Sequence, residues 1–205
     1  LNTFEKYPFR CPSWDPMPEG KKNVVILGCS HTWGVGLEPH ETWAHHVSQH
    51  RTDRLRYWNL GQPGASCDAC VRRLWGTQKL LDPKIIIICW PDETRRQYTD
   101  PIHNSPEDDM RDFLHNIFWV EKFSEMVGAK TFYCFAHNPI QNSQIKNLNV
   151  LQDYSISNCW PYWDKSTQRK IISEPSLAKD GKHHGVEHHE RFASLFLEKF
   201  GSKLK

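Results

Sequence analysis

Four consecutive isoleucines, Ile85 to Ile88, lead into Cys89 and Trp90, and no other stretch constrains the fold of this 205-residue chain as strongly. A continuous apolar run has no polar face to offer water. This one is far too short to span a bilayer. It reads as a strand buried on both sides, the kind found in parallel sheets with helices covering each face. Residues 22–28 repeat the pattern, with Val24, Val25, Ile26 and Leu27 in sequence. Shorter strands are expected at 56–60 and 131–136. Helices are expected at 41–50, from Ser66 or Asp68 to Leu81, from Pro106 to about Val127, and from Val186 to Phe200. Strands that alternate with helices imply an α/β chain wound around a parallel sheet. Residues 137–179 mix polarities and embed Trp160, Tyr162 and Trp163, so irregular structure is expected there.

The remaining bounds are mostly exclusions. At 205 residues a single domain suffices, spanning 23–205, preceded by an extended arm at 1–22. The formal net charge is +2, without a dominant run of Lys or Arg, so no nucleic-acid partner is expected. No membrane association is expected either. Seven cysteines, an odd number, suggest reduced thiols in an intracellular compartment rather than a secreted disulfide framework. The chain opens on Leu1, which leaves room for a truncated or removed N-terminal segment. Oligomeric state is not legible.

In an open parallel sheet, ligands bind beyond the C-terminal strand ends. Four segments fall there: residues 28–34, 61–66, 90–96 and 136–138. The first is Gly28-Cys29-Ser30-His31-Thr32-Trp33-Gly34, which presents a serine just past a strand. A second motif, Asp180-Gly181-Lys182-His183, stands before the last helix. A serine nucleophile needs a base, and the base needs an acid to orient it. Ser30, His183 and Asp180 supply these three types. Each motif alone has a plainer reading, as a turn-capping serine and as a surface Asp-Gly turn. The pairs His45-His46, His183-His184 and His188-His189 raise the question of zinc, but no second ligand cluster accompanies them, so neither metal nor cofactor is expected. The aromatics near Trp160 could stack on a sugar ring or simply pack.

Taken together, the motifs resemble those of the SGNH (GDSL-like) hydrolase and esterase family over nearly the whole chain. That family places Gly-Asp-Ser after its first strand, a glycine after its second, Gly-x-Asn-Asp after its third, and Asp-x-x-His before its last helix. The resemblance implies a three-layer, flavodoxin-like sandwich. It also implies a serine esterase acting on an acyl or O-acetyl ester, with a small molecule or a glycan as substrate. Ser30 then corresponds to the nucleophile, Gly64 to the oxyanion glycine, Asp180 to the orienting acid and His183 to the base.

Two positions depart from the pattern. Cys29 stands where the family has aspartate, and Pro91, in Cys89-Trp90-Pro91-Asp92, stands where it has the oxyanion asparagine. Proline brings neither a side-chain donor nor an N–H. Thr94, Arg95 and Asn138 are the candidates to replace that donor. Arg95 is favoured because its charge opposes a developing oxyanion, and it could also hold an anionic substrate. The same departures suit a rival reading, a non-catalytic binding or structural protein that keeps the fold.

Overall fold

The computed structural model describes residues 9–11, 20–95, 105–137, 147–156, 163–164, 169–170 and 176–205. Five strands form one parallel sheet: β1 (Lys22–Gly28), β2 (Leu55–Asn59), β3 (Ile85–Trp90), β4 (Lys130–Phe135) and β5 (Val150–Ser155). Their spatial order is β2-β1-β3-β4-β5. The chain therefore steps outward from β1 to β2, returns past β1 to β3, and continues in that direction. Reversing direction while keeping right-handed crossovers places the connecting helices on opposite faces. Ile85 to Trp90 and Val24 to Leu27 are completely buried, as cover on both faces requires.

The helices are α1 (Ser30–Trp33), α2 (Trp43–Ser48), α3 (Cys67–Leu81), α4 (Pro106–Val127) and α5 (Val186–Phe200). α2 packs against α5, and α3 against α4. Their boundaries follow local chemistry. Ser66 caps α3 by accepting from the Ala69 N–H at 3.3 Å. Ser105 and Asp108 form a reciprocal capping box at the start of α4. Gly128 closes that helix in the left-handed conformation. The expected helix at 41–50 is shorter, and Pro39–Glu41 forms a single 3-10 turn ahead of it.

The expectation of irregular structure across 137–179 needs correction. β5 lies inside that stretch, paired parallel to β4 through Tyr133 with Val150 and Phe135 with Ser155, with a register shift between. Two short strands, β6 (Trp163–Asp164) and β7 (Arg169–Lys170), pair antiparallel beyond it. Trp160 and Tyr162 lie outside the described residues. Of the expected N-terminal arm, residues 9–11 and 20–22 are described, and the last of these already belongs to β1. Arg10 stacks on Trp33 at 3.7 Å from the ring centroid and donates to the Leu37 carbonyl at 2.8 Å. No helix among the described residues is long and apolar enough to cross a membrane.

Candidate active site

β1 ends at Gly28, and the chain turns at once into α1. A side chain at Gly28 would place its Cβ 2.1 Å from Thr32 Oγ1 and 2.8 Å from the Cys89 carbonyl oxygen, so only glycine lets the turn fold back this tightly. Ser30 therefore opens α1 at the C-terminal edge of the sheet and keeps 8% of its surface exposed. Asn59, the last residue of β2, holds this turn from the side. Its amide donates to the Thr32 carbonyl at 2.9 Å and accepts from the Gly61 N–H at 3.0 Å. Gly61 packs so close that a Cβ there would sit 2.7 Å from the Trp33 nitrogen.

The Asp180 motif docks on the other side of the turn that follows α1. The Lys179 N–H donates to the Gly36 carbonyl at 3.0 Å. Asp180 then organises its own loop. Oδ1 accepts from the backbone N–H groups of Lys182 at 3.1 Å and His183 at 3.0 Å, while Oδ2 lies 2.5 Å from His183 Nδ1. These bonds, led by the backbone N–H of His183, hold the Asp180 carboxyl well below the usual carboxylate range. An ionised carboxylate can only accept, so Nδ1 carries the proton and Nε2 is left as the basic nitrogen.

His31 links the two motifs. It follows Ser30 directly, is buried, and its ring centroid lies 5.2 Å from that of His183. The same ring touches His137 at 4.9 Å and stacks on His184 at 5.3 Å, and His184 in turn stacks on His188 at 4.5 Å. Burial, reinforced by the neighbouring imidazoles, pushes the pKa of His31 down to about 2, so the ring is neutral. No hydrogen bond joins Ser30 to His183 among the described residues. Among them no group of three or more His, Cys, Asp or Glu could hold a metal ion.

The other expected site residues are distributed as follows. Gly64 lies exposed on the turn between β2 and α3, with φ at +76°. Pro91 is buried directly after β3. Thr94 is exposed, and both its hydroxyl (2.5 Å) and its N–H (3.0 Å) are turned onto Asp92 Oδ1. Arg95 lies close enough to Cys29, Asp92 and His137 for its charge to act on all three. Asn138 lies outside the described residues. Cys29 is fully buried, and burial raises its thiol pKa, so it is an inert packing group rather than a charged loop anchor. Sequence reasoning missed His31, His137 and Asn59. Their one sequence signal is position, since each stands at or just beyond the C-terminal end of a strand.

No family model matches the chain, and no curated protein matches it. Solved structures do. TesA superposes with a TM-score of 0.61 at 13% identity, covering 89% of this chain and all of TesA. A protein of the G-D-S-L lipolytic family from Desulfitobacterium hafniense gives 0.59 at 15% identity, with 87% and 99% of the two chains covered. The esterase EstA from Pseudoalteromonas, solved with monoethylphosphonate as inhibitor, gives 0.57 at 14% identity over 90% and 99%. A catalytic mutant of the acetylxylan esterase Axe2 from Geobacillus stearothermophilus gives 0.54 at 15% identity over 90% and 97%. The order of strands, the near-complete coverage in both directions and the motifs at the sheet edge agree: this chain has the fold of the SGNH (GDSL-like) hydrolases.

Proposed function

We propose that the protein is a serine esterase that cleaves a carboxylic ester, with an acyl or O-acetyl group as the part transferred to the enzyme. The observation that carries this reading is the Asp180–His183 pair, oriented by three hydrogen bonds, with the His183 ring against that of His31, the residue after Ser30. Two structures of the same fold are of esterases, one acting on acetylxylan, which supports an ester on a small molecule or a glycan as substrate.

In the proposed reaction Ser30 Oγ bonds to the ester carbonyl carbon while His183 Nε2 takes its proton. The backbone N–H groups of Ser30 and Gly64 donate to the oxyanion, and Arg95 offers a cation at the rim. The tetrahedral adduct collapses, the C–O bond to the alcohol breaks, and His183 returns the proton to the leaving oxygen. Water, deprotonated by the same nitrogen, then attacks the acyl-Ser30, the bond from the acyl carbon to Oγ breaks as His183 returns the proton to Oγ, and the acid leaves. Asp180 stabilises the imidazolium throughout.

Labelling with a fluorophosphonate and hydrolysis of p-nitrophenyl acetate test this reading. The parent should show a covalent adduct on Ser30 and measurable turnover, and Ser30→Ala should show neither. Pro91 favours a second reading, a binding protein on the same fold. A parent that is neither labelled nor active on acetyl and short acyl esters would establish that one instead.

A further inference from the structure

We propose that the outer face of α3 and α4 is a dimer interface, covered by the same face of a second copy of this chain. The inference stands on the packing of these two helices and does not rest on the esterase reading.

α3 and α4 each join two strands of the parallel sheet, and they lie side by side. Each turns a buried stripe inward. In α3 the stripe is Cys70, Val71, Leu74 and Leu81, and in α4 it is Phe113, Ile117, Val120 and Phe123. Spacings of three and four residues keep each stripe on one side of its helix. The remaining face of such a helix is expected to be polar. In α4 it is not. Phe118, Trp119 and Met126 are each 51% exposed, and Trp75 of α3 is 37% exposed. These residues form one patch. The Trp75 ring meets Trp119 edge-on with 6.3 Å between centroids, and Trp119 meets Phe118 at 5.6 Å. Met126 extends the patch along the seam between the helices, with its Sδ 4.0 Å from Gln78 Nε2.

Area and charge select the occupant. A large aromatic side chain presents about 150–250 Å², so these four residues together leave roughly 400 Å² of mainly apolar surface open to water. A homodimer interface at the small end of the stable range buries about 1,200 Å², about 65% of it apolar, and so needs about 800 Å² of apolar surface from its two sides. Two copies of this patch supply that area. Tryptophan, phenylalanine and methionine are also the residue types that interfaces concentrate. The charges beside the patch then balance: Arg72, Lys79 and Lys122 stand on the same two helices as Asp68, Glu121 and Glu125. Arg72 lies 2.7 Å from Asp68, and Lys122 lies 2.7 Å from Glu125. A two-fold interface sets one rim against its own copy, and a rim whose charges sum to zero does not repel itself. An anionic bilayer or a strongly charged partner would call for an excess of one sign.

Sedimentation velocity on the full chain tests this from about 1 to 100 µM, a range that spans micromolar dissociation constants. The parent should sediment at twice its 24.1 kDa at the upper end and dissociate on dilution. Trp119→Glu places a charge at the centre of the patch in both copies and should weaken association at least about thirtyfold. Phe118→Ser removes apolar area without adding charge and should weaken it about tenfold. Leu80→Glu is the control. Leu80 is also exposed on α3, but it stands five residues beyond Trp75 and so about 140° round the helix from it. That variant should dimerise like the parent. Thermal midpoints taken at the dilute end should match the parent in all three variants, because none of these side chains lies in the core. A parent that is monomeric throughout the range would overturn the proposal. So would a dimer that persists unchanged in both Trp119→Glu and Phe118→Ser, which would place the interface elsewhere. A monomeric parent that cosediments with phosphatidylcholine vesicles, while Trp119→Glu does not, would make the patch a membrane face and overturn it as well.

Discussion

At the residue scale, Asp180 has two separable jobs. One oxygen holds the loop through two backbone N–H groups, and the other fixes the His183 tautomer. Asp180→Asn can keep the first job, because an amide oxygen still accepts both N–H bonds. It damages the second, because a neutral amide no longer stabilises the imidazolium and can leave the proton on the wrong nitrogen. We expect a fall in kcat on the order of a thousandfold or more with little change in thermal midpoint. A large loss of stability with unchanged kcat would show that Asp180 is only a loop anchor. The adjacent histidines should separate as sharply. His183→Ala should abolish turnover. His184 instead stacks between His31 and His188, and its backbone pairs with Leu177 in an isolated bridge. His184→Ala should therefore keep most of the turnover and lose stability. The reverse pattern would move the role of base to His184.

At the element scale, the ends of β1 and β2 are joined by Asn59, which clamps α1 and the Gly61 turn together. Asn59→Ala leaves the buried Thr32 carbonyl without this donor, and a lost buried hydrogen bond of this kind costs about 1–3 kcal/mol. Gly61→Ala is the harsher change, because its Cβ meets backbone rather than a movable side chain. Denaturant melts should show both losses, with Gly61→Ala also lowering turnover by shifting α1. A Gly61→Ala protein as stable and active as the parent would mean that α1 yields freely. How far these elements could be read from sequence follows from how local their causes are. β3 was legible because every residue is apolar and β1 because Val24 to Leu27 are, and the Asp180–His183 pair was legible because its geometry is closed within four residues. β5 was not. After Val150 and Leu151 its sequence turns to Gln152, Asp153, Tyr154 and Ser155, since an edge strand has a neighbour on one side only. His137 was missed for a different reason. Its contact with His31 spans 106 positions of sequence and depends on which strands are neighbours, which no local pattern records. Reading the rim segment 136–138 by side-chain type favoured Asn138, whereas the described contact belongs to the residue before it.

At the scale of the whole molecule, the histidines couple the fold to acidity. His31 and His189 are buried, and desolvation pushes their pKa values down to about 2 and about 3, with neighbouring imidazoles adding to the shift. His189 also ties two elements together, since its Nδ1 accepts the Trp43 N–H at 3.0 Å and so joins the start of α5 to the start of α2. The sign of the pH dependence follows from proton counting. In the unfolded chain a histidine titrates near 6.5, so below that pH the unfolded state binds protons that the folded state refuses. Stability is fully present above about pH 6.5 and is lost as the pH falls from there toward 3. Each such histidine adds up to about 1.4 kcal/mol of loss per pH unit, so the two together approach 3 kcal/mol per unit. Against a total stability of about 5–15 kcal/mol, that removes a large share of the margin before the carboxylates titrate. Because α5 directly follows the His183 loop, loss of its docking should take the active site with it. Urea melts at pH 7.5, 6.0 and 5.0 measure the slope. His189→Asn retains an acceptor for the Trp43 N–H but cannot be protonated. It should be less stable than the parent at pH 7.5 and should flatten the acid slope by up to about 1.4 kcal/mol per pH unit. An unchanged slope in that variant would show that His189 is not among the groups that make the fold sensitive to acid.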